Sequence, residues 1–216
     1  MAGATMSADE GNAGLGALAS LRRFARPRPP EERCELCSAG LAAEHAHLVE
    51  PGSRRLLCAC DACALLLGGQ AGGKFRRVPR DVRRLADFRL SDVEWQGLQL
   101  PIQLAFFLHS SPAGRVVAFY PSPGGATEAA VEPGAWEELA GQNPVLRTFE
   151  PDVEALLVNR VGQAREYYRV GIDDCYKLVG LLRTHWRGLS GGTAVWEEVG
   201  RFFAGLRARS GGAAHA

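Results

Sequence analysis

The chain has 216 residues, 46% hydrophobic and 23% charged, with 25 basic and 24 acidic side chains and a formal net charge of +1. That size suits one well-cored domain plus a smaller module. The near balance of charge excludes a whole-protein field that would gather nucleic acid or anionic lipid, and no apolar run approaches the ~20 residues of a membrane-spanning helix.

Charge is nevertheless uneven along the chain. Residues 1–90 carry 14 basic and 10 acidic side chains, and residues 91–216 carry 11 and 14. Residues 1–30, rich in Ala, Gly and Pro, read as a disordered arm with at most one short helix over "LGALASLRRFA". Arg22 and Arg23 suggest a twin-arginine export signal, but Arg and Pro follow where an apolar segment is required. The expected compartment is therefore the reducing cytoplasm, where clustered cysteines bind metal or do redox chemistry rather than form structural disulfides.

After the stiff lead-in "RPRPPEER", residues 31–73 form a cysteine-rich module. "AHLVE" and "RRLLC" flank the turn signal "PGS" and predict a β-hairpin. Asp61 is placed to cap a short helix, "ACALLLGG", that ends at Gly68 and Gly69. Residues 74–90, with Lys74, Arg76, Arg77, Arg80, Arg83 and Arg84 against Asp81, read as a basic linker of little regular structure. Its missing aromatic interleaving favours docking on an acidic protein surface, its own larger domain included, over binding nucleic acid.

Residues 91–208 read as an α+β domain with a mainly antiparallel sheet and C-terminal helices, followed by a disordered tail over 209–216. "PIQLAFFLHS" and "RVVAFYPS" predict strands joined by "SPAG", and "EPGAWEELAGQ" predicts a helix with Pro133 in its first turn. "VEALLVNR" and "EYYRV" predict a second strand pair, although the first also fits a helical turn. "DDCYKLVGLLRTHWRGL" and "TAVWEEVGRFFAGLRAR" carry apolar residues at helical spacing on either side of the break "SGG".

The strongest chemical signal is a pair of CxxC motifs, Cys34/Cys37 and Cys60/Cys63, separated by 22 residues. Four thiolates close a tetrahedral shell around zinc, and the order of CxxC turn, hairpin and CxxC at a helix start is that of a treble-clef zinc module. A module this small has little core, so metal binding would supply on the order of 10 kcal/mol of its folding free energy. A four-cysteine shell also accepts a single iron or an iron–sulfur cluster. Cys58, His45 and His47 remain outside it. His45 and His47 share one face of a strand and Cys58 lies on its partner, so they are candidates for a second metal site, an alternative ligand or a redox-active pair. The alternative is ordinary packing.

The element order also resembles HNH-type nucleases, with "AEHAHLVE" in the place of a catalytic histidine. However, Ala64 follows Cys63 where that pattern often has His, and no Asn lies in "EPGSRRLL", so cleavage lacks its water activator and cation ligand. In "YPSPGGATE", Gly124 and Gly125 match neither phosphate-binding glycine pattern and read as a turn. Cys175 reads as core, and Asp152, Glu154, Asp173 and Asp174 read as caps and solvated acids rather than an acid/base pair. No catalytic constellation emerges, and a non-enzymatic protein is expected.

The segments "ERCELC", "HAHL", "RRLLCACDACALLL", "AFYPSPGGATE", "PDVEALLV" and "IDDCYKLVG", with "W" and then "FF" near the end, span about residues 31–206. On these segments the chain resembles an uncharacterised actinobacterial family associated with nickel–iron hydrogenase gene clusters. The resemblance implies a role in hydrogenase assembly or electron transfer, with hydrogenase subunits or maturation factors as partners. It also implies that Cys58 and His47 belong to the shared pattern. The expected function is a non-enzymatic zinc-binding accessory protein that docks on a partner. The alternatives are an iron or iron–sulfur redox or metallocentre-assembly protein and, behind it, a nucleic-acid-binding protein with a degenerate HNH-like module.

Overall fold

In the computed structural model, residues 32–70, 72–188 and 191–211 are described. The expected arm over 1–30 with its short helix, and the tail beyond 211, lie outside them. Among the described residues every strand pairing is antiparallel, in one three-stranded and one six-stranded sheet.

The small sheet is the expected hairpin, β1 (Ala46–Glu50) and β2 (Arg55–Ala59), with β3 (Arg76–Arg77) added on the outer edge of β1. Helix α1 (Asp61–Gly68) follows directly. Its cap is not Asp61 as expected but Cys60, whose Sγ accepts the Cys63 N–H at 3.5 Å, leaving Asp61 in the first turn. A Cβ on Gly68 would lie 2.7 Å from both Arg77 Cβ and Leu48 Cδ2, so glycine lets the end of α1 rest directly on the sheet.

The basic stretch is more ordered than its sequence suggests. It supplies β3 and then β4 (Arg83–Arg84), which pairs with Arg169 and Tyr168, while Val78 and Val82 are buried in the main core. Arg76 pairs with Glu150 at 2.9 Å and Asp152 at 3.4 Å, and Lys74 pairs with Glu50 at 3.3 Å. The stretch thus docks on acids of its own chain.

In the large sheet, β5 (Leu104–Ser110), β6 (Arg115–Ser122) and β7 (Gly125–Ala129) form a meander, and β8 (Glu154–Asn159) returns beside β5 before β9 (Glu166–Gly171). The "GGATE" stretch is only partly a turn: Gly125 opens β7 at φ +127°, a conformation that favours glycine, and the residues after it pair with β6. Strand β8 is buried along its whole length, and its middle, residues 155–158, is a continuous apolar run with no alternation to identify it.

Both faces of this sheet are covered. Leu104, Phe106, Leu157 and Tyr168 pack under α4 (Ile172–His185) and α5 (Gly192–Gly211), the two expected C-terminal helices. The last of these runs to Gly211, so residues 209–211 are helical rather than tail. On the other face, Ala105, Phe107, Leu156 and Val158 pack under α2 (Asp92–Gly97), α3 (Pro133–Gln142) and the 3-10 turn Pro144–Thr148. Helix α2 lies where the sequence pattern shows no periodic apolar run. Ser91 caps it in a reciprocal pairing with Glu94, and the buried Trp95 anchors it. Among the described residues no helix is long and apolar enough to cross a membrane.

Hairpin β1–β2 belongs to both lobes because its two faces differ. Ala46, Leu48 and Ala59 point into a small core with Cys34 and Ala64, whereas Val49 is buried in the main core and Leu56 packs against it.

Candidate metal centre

The two CxxC motifs meet as their spacing predicts. Backbone bonds Ser38 N–H to Cys34 O and Cys34 N–H to Ala39 O, both 2.8 Å, fold the first motif into a tight turn. The second motif sits at the start of α1, presented by β2. One ligand atom from each of Cys34, Cys37, Cys60 and Cys63 lies within 4.8 Å of the others, and the Cys37 and Cys60 sulfurs are 3.6 Å apart. That separation is far beyond a disulfide bond of about 2.05 Å. It is close to the edge of about 3.8 Å expected of a tetrahedron with zinc–sulfur bonds of ~2.3 Å. The donor set and its spacing therefore fit one tetrahedral metal ion.

Four thiols packed so closely do not ionise independently. Burial raises the Cys34 thiol most strongly, but backbone N–H groups of Cys60, Leu36 and Cys37 together outweigh it and bring the group down to about 6. Hydrogen bonding with Cys37 and then Cys60 pushes Cys63 up to about 12. The Cys34 thiolate thus forms early while Cys63 keeps its proton, until a bound dication draws it off.

The other three candidates also come together, on the opposite side of the hairpin. His47 is in register with Cys58 across β1 and β2. One ligand atom from each of His45, His47 and Cys58 lies within 4.8 Å of the others, and all three residues are half-buried. The His45 and His47 rings meet edge-on, with centroids 4.8 Å apart. Cys58 is thus not a fifth member of the four-cysteine cluster.

Two residues that support these clusters escaped the sequence reading. Asp173, expected to be a cap or solvated acid, accepts a hydrogen bond from His47 Nδ1 at 2.9 Å, while Gly171 caps α4. Nothing local could reveal a contact across 126 positions. Glu35, inside the first CxxC, joins the clusters: its N–H donates to Cys58 O at 2.9 Å, and its Oε1 accepts the Cys58 N–H at 2.9 Å. The Cys58 N–H and the Arg55 guanidinium hold the Glu35 carboxyl below the usual carboxylate range. Its signal was the "CELC" sequence itself, an acid between two ligands.

The remaining acids are structural. Asp152, at φ +67°, accepts Ser111 N–H and Oγ–H at 2.8 and 2.5 Å, and Glu154 pairs with Arg169 at 2.5 Å. Asp174 pairs with Arg209 at 2.6 Å, and Cys175 is fully buried, its thiol pushed well above the ordinary range by that burial. A separate cleft of about 500 Å³ between the sheet and α3 is lined by Phe107, Trp136, Leu146, His109, Glu137 and Arg147.

Residues 33–210 match the model of a protein family described as a family of unknown function. Neither the curated proteins nor the solved structures contain a match.

Proposed function

The chain belongs to that family, DUF5947, and we propose that it is a non-enzymatic zinc-binding accessory protein that docks on a partner in the cytoplasm. Its four-cysteine module is read as a treble clef that builds the docking surface. The observation that carries this reading is the convergence of Cys34, Cys37, Cys60 and Cys63 at the head of a helix that exposes apolar residues. Leu65 and Leu66, on α1, are 66% and 68% exposed. Zinc is redox-silent, so its work is to hold that helix in place. Following the resemblance of the sequence segments, the partner is a hydrogenase subunit or maturation factor.

The second reading places iron in the same shell, for electron transfer or metallocentre assembly. The compactness of the four sulfurs favours a single ion over an iron–sulfur cluster, which spreads its thiolates over several irons. The third, nucleic-acid binding through a degenerate nuclease-like module, is weakened by the pairing of Lys74 and Arg76 with acids.

Elemental analysis and an absorption spectrum of anaerobically purified full chain test the proposal. Colourless protein with stoichiometric zinc is expected; coloured protein with stoichiometric iron would replace the first reading with the second. Salt-sensitive binding to DNA or RNA that is lost on changing Arg76, Arg77 and Arg80 would establish the third.

A further inference from the structure

We propose that His45, His47 and Cys58 form a second metal site, holding zinc or a divalent cation of similar preference through two imidazoles and one thiolate, with its fourth position open to water or an incoming ligand.

Each imidazole is held by a hydrogen bond on its far side. His45 Nδ1 lies 3.0 Å from Ala42 O, and His47 Nδ1 lies 2.9 Å from Asp173 Oδ2. A carbonyl oxygen and a carboxylate can only accept, so Nδ1 carries the proton on both rings. In the neutral ring each Nε2 then presents its lone pair, which is the form a metal requires. A carboxylate or backbone carbonyl behind a histidine is also the usual way that protein metal sites fix ring orientation and raise ligand basicity.

The thiol is positioned by independent means. Pairing of β1 with β2 sets Cys58 opposite His47, and the Glu35 carboxylate anchors the Cys58 N–H at 2.9 Å. His47 is held from behind as well, since its carbonyl accepts the Val78 N–H at 3.0 Å. One ligand atom from each of the three residues lies within 4.8 Å of the others. On binding, the Cys58 thiol loses its proton to solvent and the thiolate, with two neutral imidazoles, leaves a dication with one residual positive charge.

Two nitrogens and one sulfur suit zinc. Three protein ligands with an open position are the pattern of sites where the metal meets a substrate or exchanges, unlike a closed four-cysteine shell. A Cys–His–Asp nucleophile would use the same Cys58, His47 and Asp173. It has no use for a second imidazole held in the same tautomer on the same face, and this favours the metal.

The test is anaerobic titration of the metal-free full chain with Zn²⁺ or Co²⁺. Two equivalents are expected to bind. Cys58→Ser, or His45→Ala with His47→Ala, should remove one, with cobalt losing the absorption contributed by a single thiolate. Cys34→Ser with Cys37→Ser should remove the four-cysteine equivalent and, by loosening the hairpin, weaken the second as well, so the sites are told apart by the Cys58 and histidine variants, which should keep the four-cysteine equivalent. Asp173→Asn, at a positioning residue, should weaken the histidine-linked equivalent by about 10- to 100-fold and shift its cobalt bands. Without any variant, the second equivalent should protect Cys58 from alkylation by iodoacetamide. Binding of one equivalent by the wild type, retention of both by Cys58→Ser, or alkylation of Cys58 at the same rate with and without the second equivalent would overturn the proposal.

Discussion

Gly171 is where β9 passes into α4, and it should not tolerate even a methyl group. A Cβ there would lie 2.5 Å from Pro79 O, 2.6 Å from Asp173 Oδ1 and 2.8 Å from Val78 Cγ1. The backbone itself, at φ −64° and ψ 148°, is open to alanine, so loss of unfolded-chain entropy would by itself stabilise Gly171→Ala by about 0.4–1 kcal/mol. Overpacking against a main-chain oxygen and a buried valine costs about 1–3 kcal/mol and outweighs that gain. The net expectation is a loss of about 1–2 kcal/mol, read as a lower urea midpoint with unchanged m-value. In a domain of this size the melting temperature should fall by about 2–8 °C. The methyl also displaces the Asp173 carboxylate, so zinc affinity at His45, His47 and Cys58 should drop while the four-cysteine site keeps its own. A Gly171→Ala protein as stable as the wild type, with metal binding unchanged at both sites, would refute this account of the junction.

Single replacement of Cys34 or Cys63 by Ser should abolish tight metal binding at the four-cysteine site and open the small lobe, seen as loss of amide-exchange protection over residues 46–66. Acidification should release the metal, since affinity falls as protons compete for the thiolates, and a chromophoric chelator will follow the release. Arg83→Ala, at an exposed pair, should change stability by less than about 0.5 kcal/mol. Asp152→Ala should cost about 2–4 kcal/mol in chemical denaturation, because it leaves two Ser111 donors without their buried acceptor and puts alanine at φ +67°. Leu65→Ser with Leu66→Ser should leave thermal stability nearly unchanged yet weaken partner capture, measured by co-purification with a tagged partner.

What the sequence disclosed is what is carried by short-range spacing. The two CxxC motifs, the "PGS" hairpin and the amphipathic C-terminal helices each state their structure within a few residues. Strands β3 and β4 do not, since two arginines apiece have no periodicity and become strands only because β1 and β9 offer free edges. At the site, residue identity suggests that His45, His47 and Cys58 belong together, but the hydrogen bonds that orient the two imidazoles come from Ala42 and from Asp173 on a distant helix. Long-range partners leave no mark on local pattern.

Strand β1 has one side in each hydrophobic core, with Leu48 in one and Val49 in the other. A wall shared in this way cannot shift for one room alone. Stripping the sulfur-bound ion should therefore loosen the contact surface beneath α4 as well, and calorimetry of the intact chain should show one merged transition whose midpoint tracks ion content.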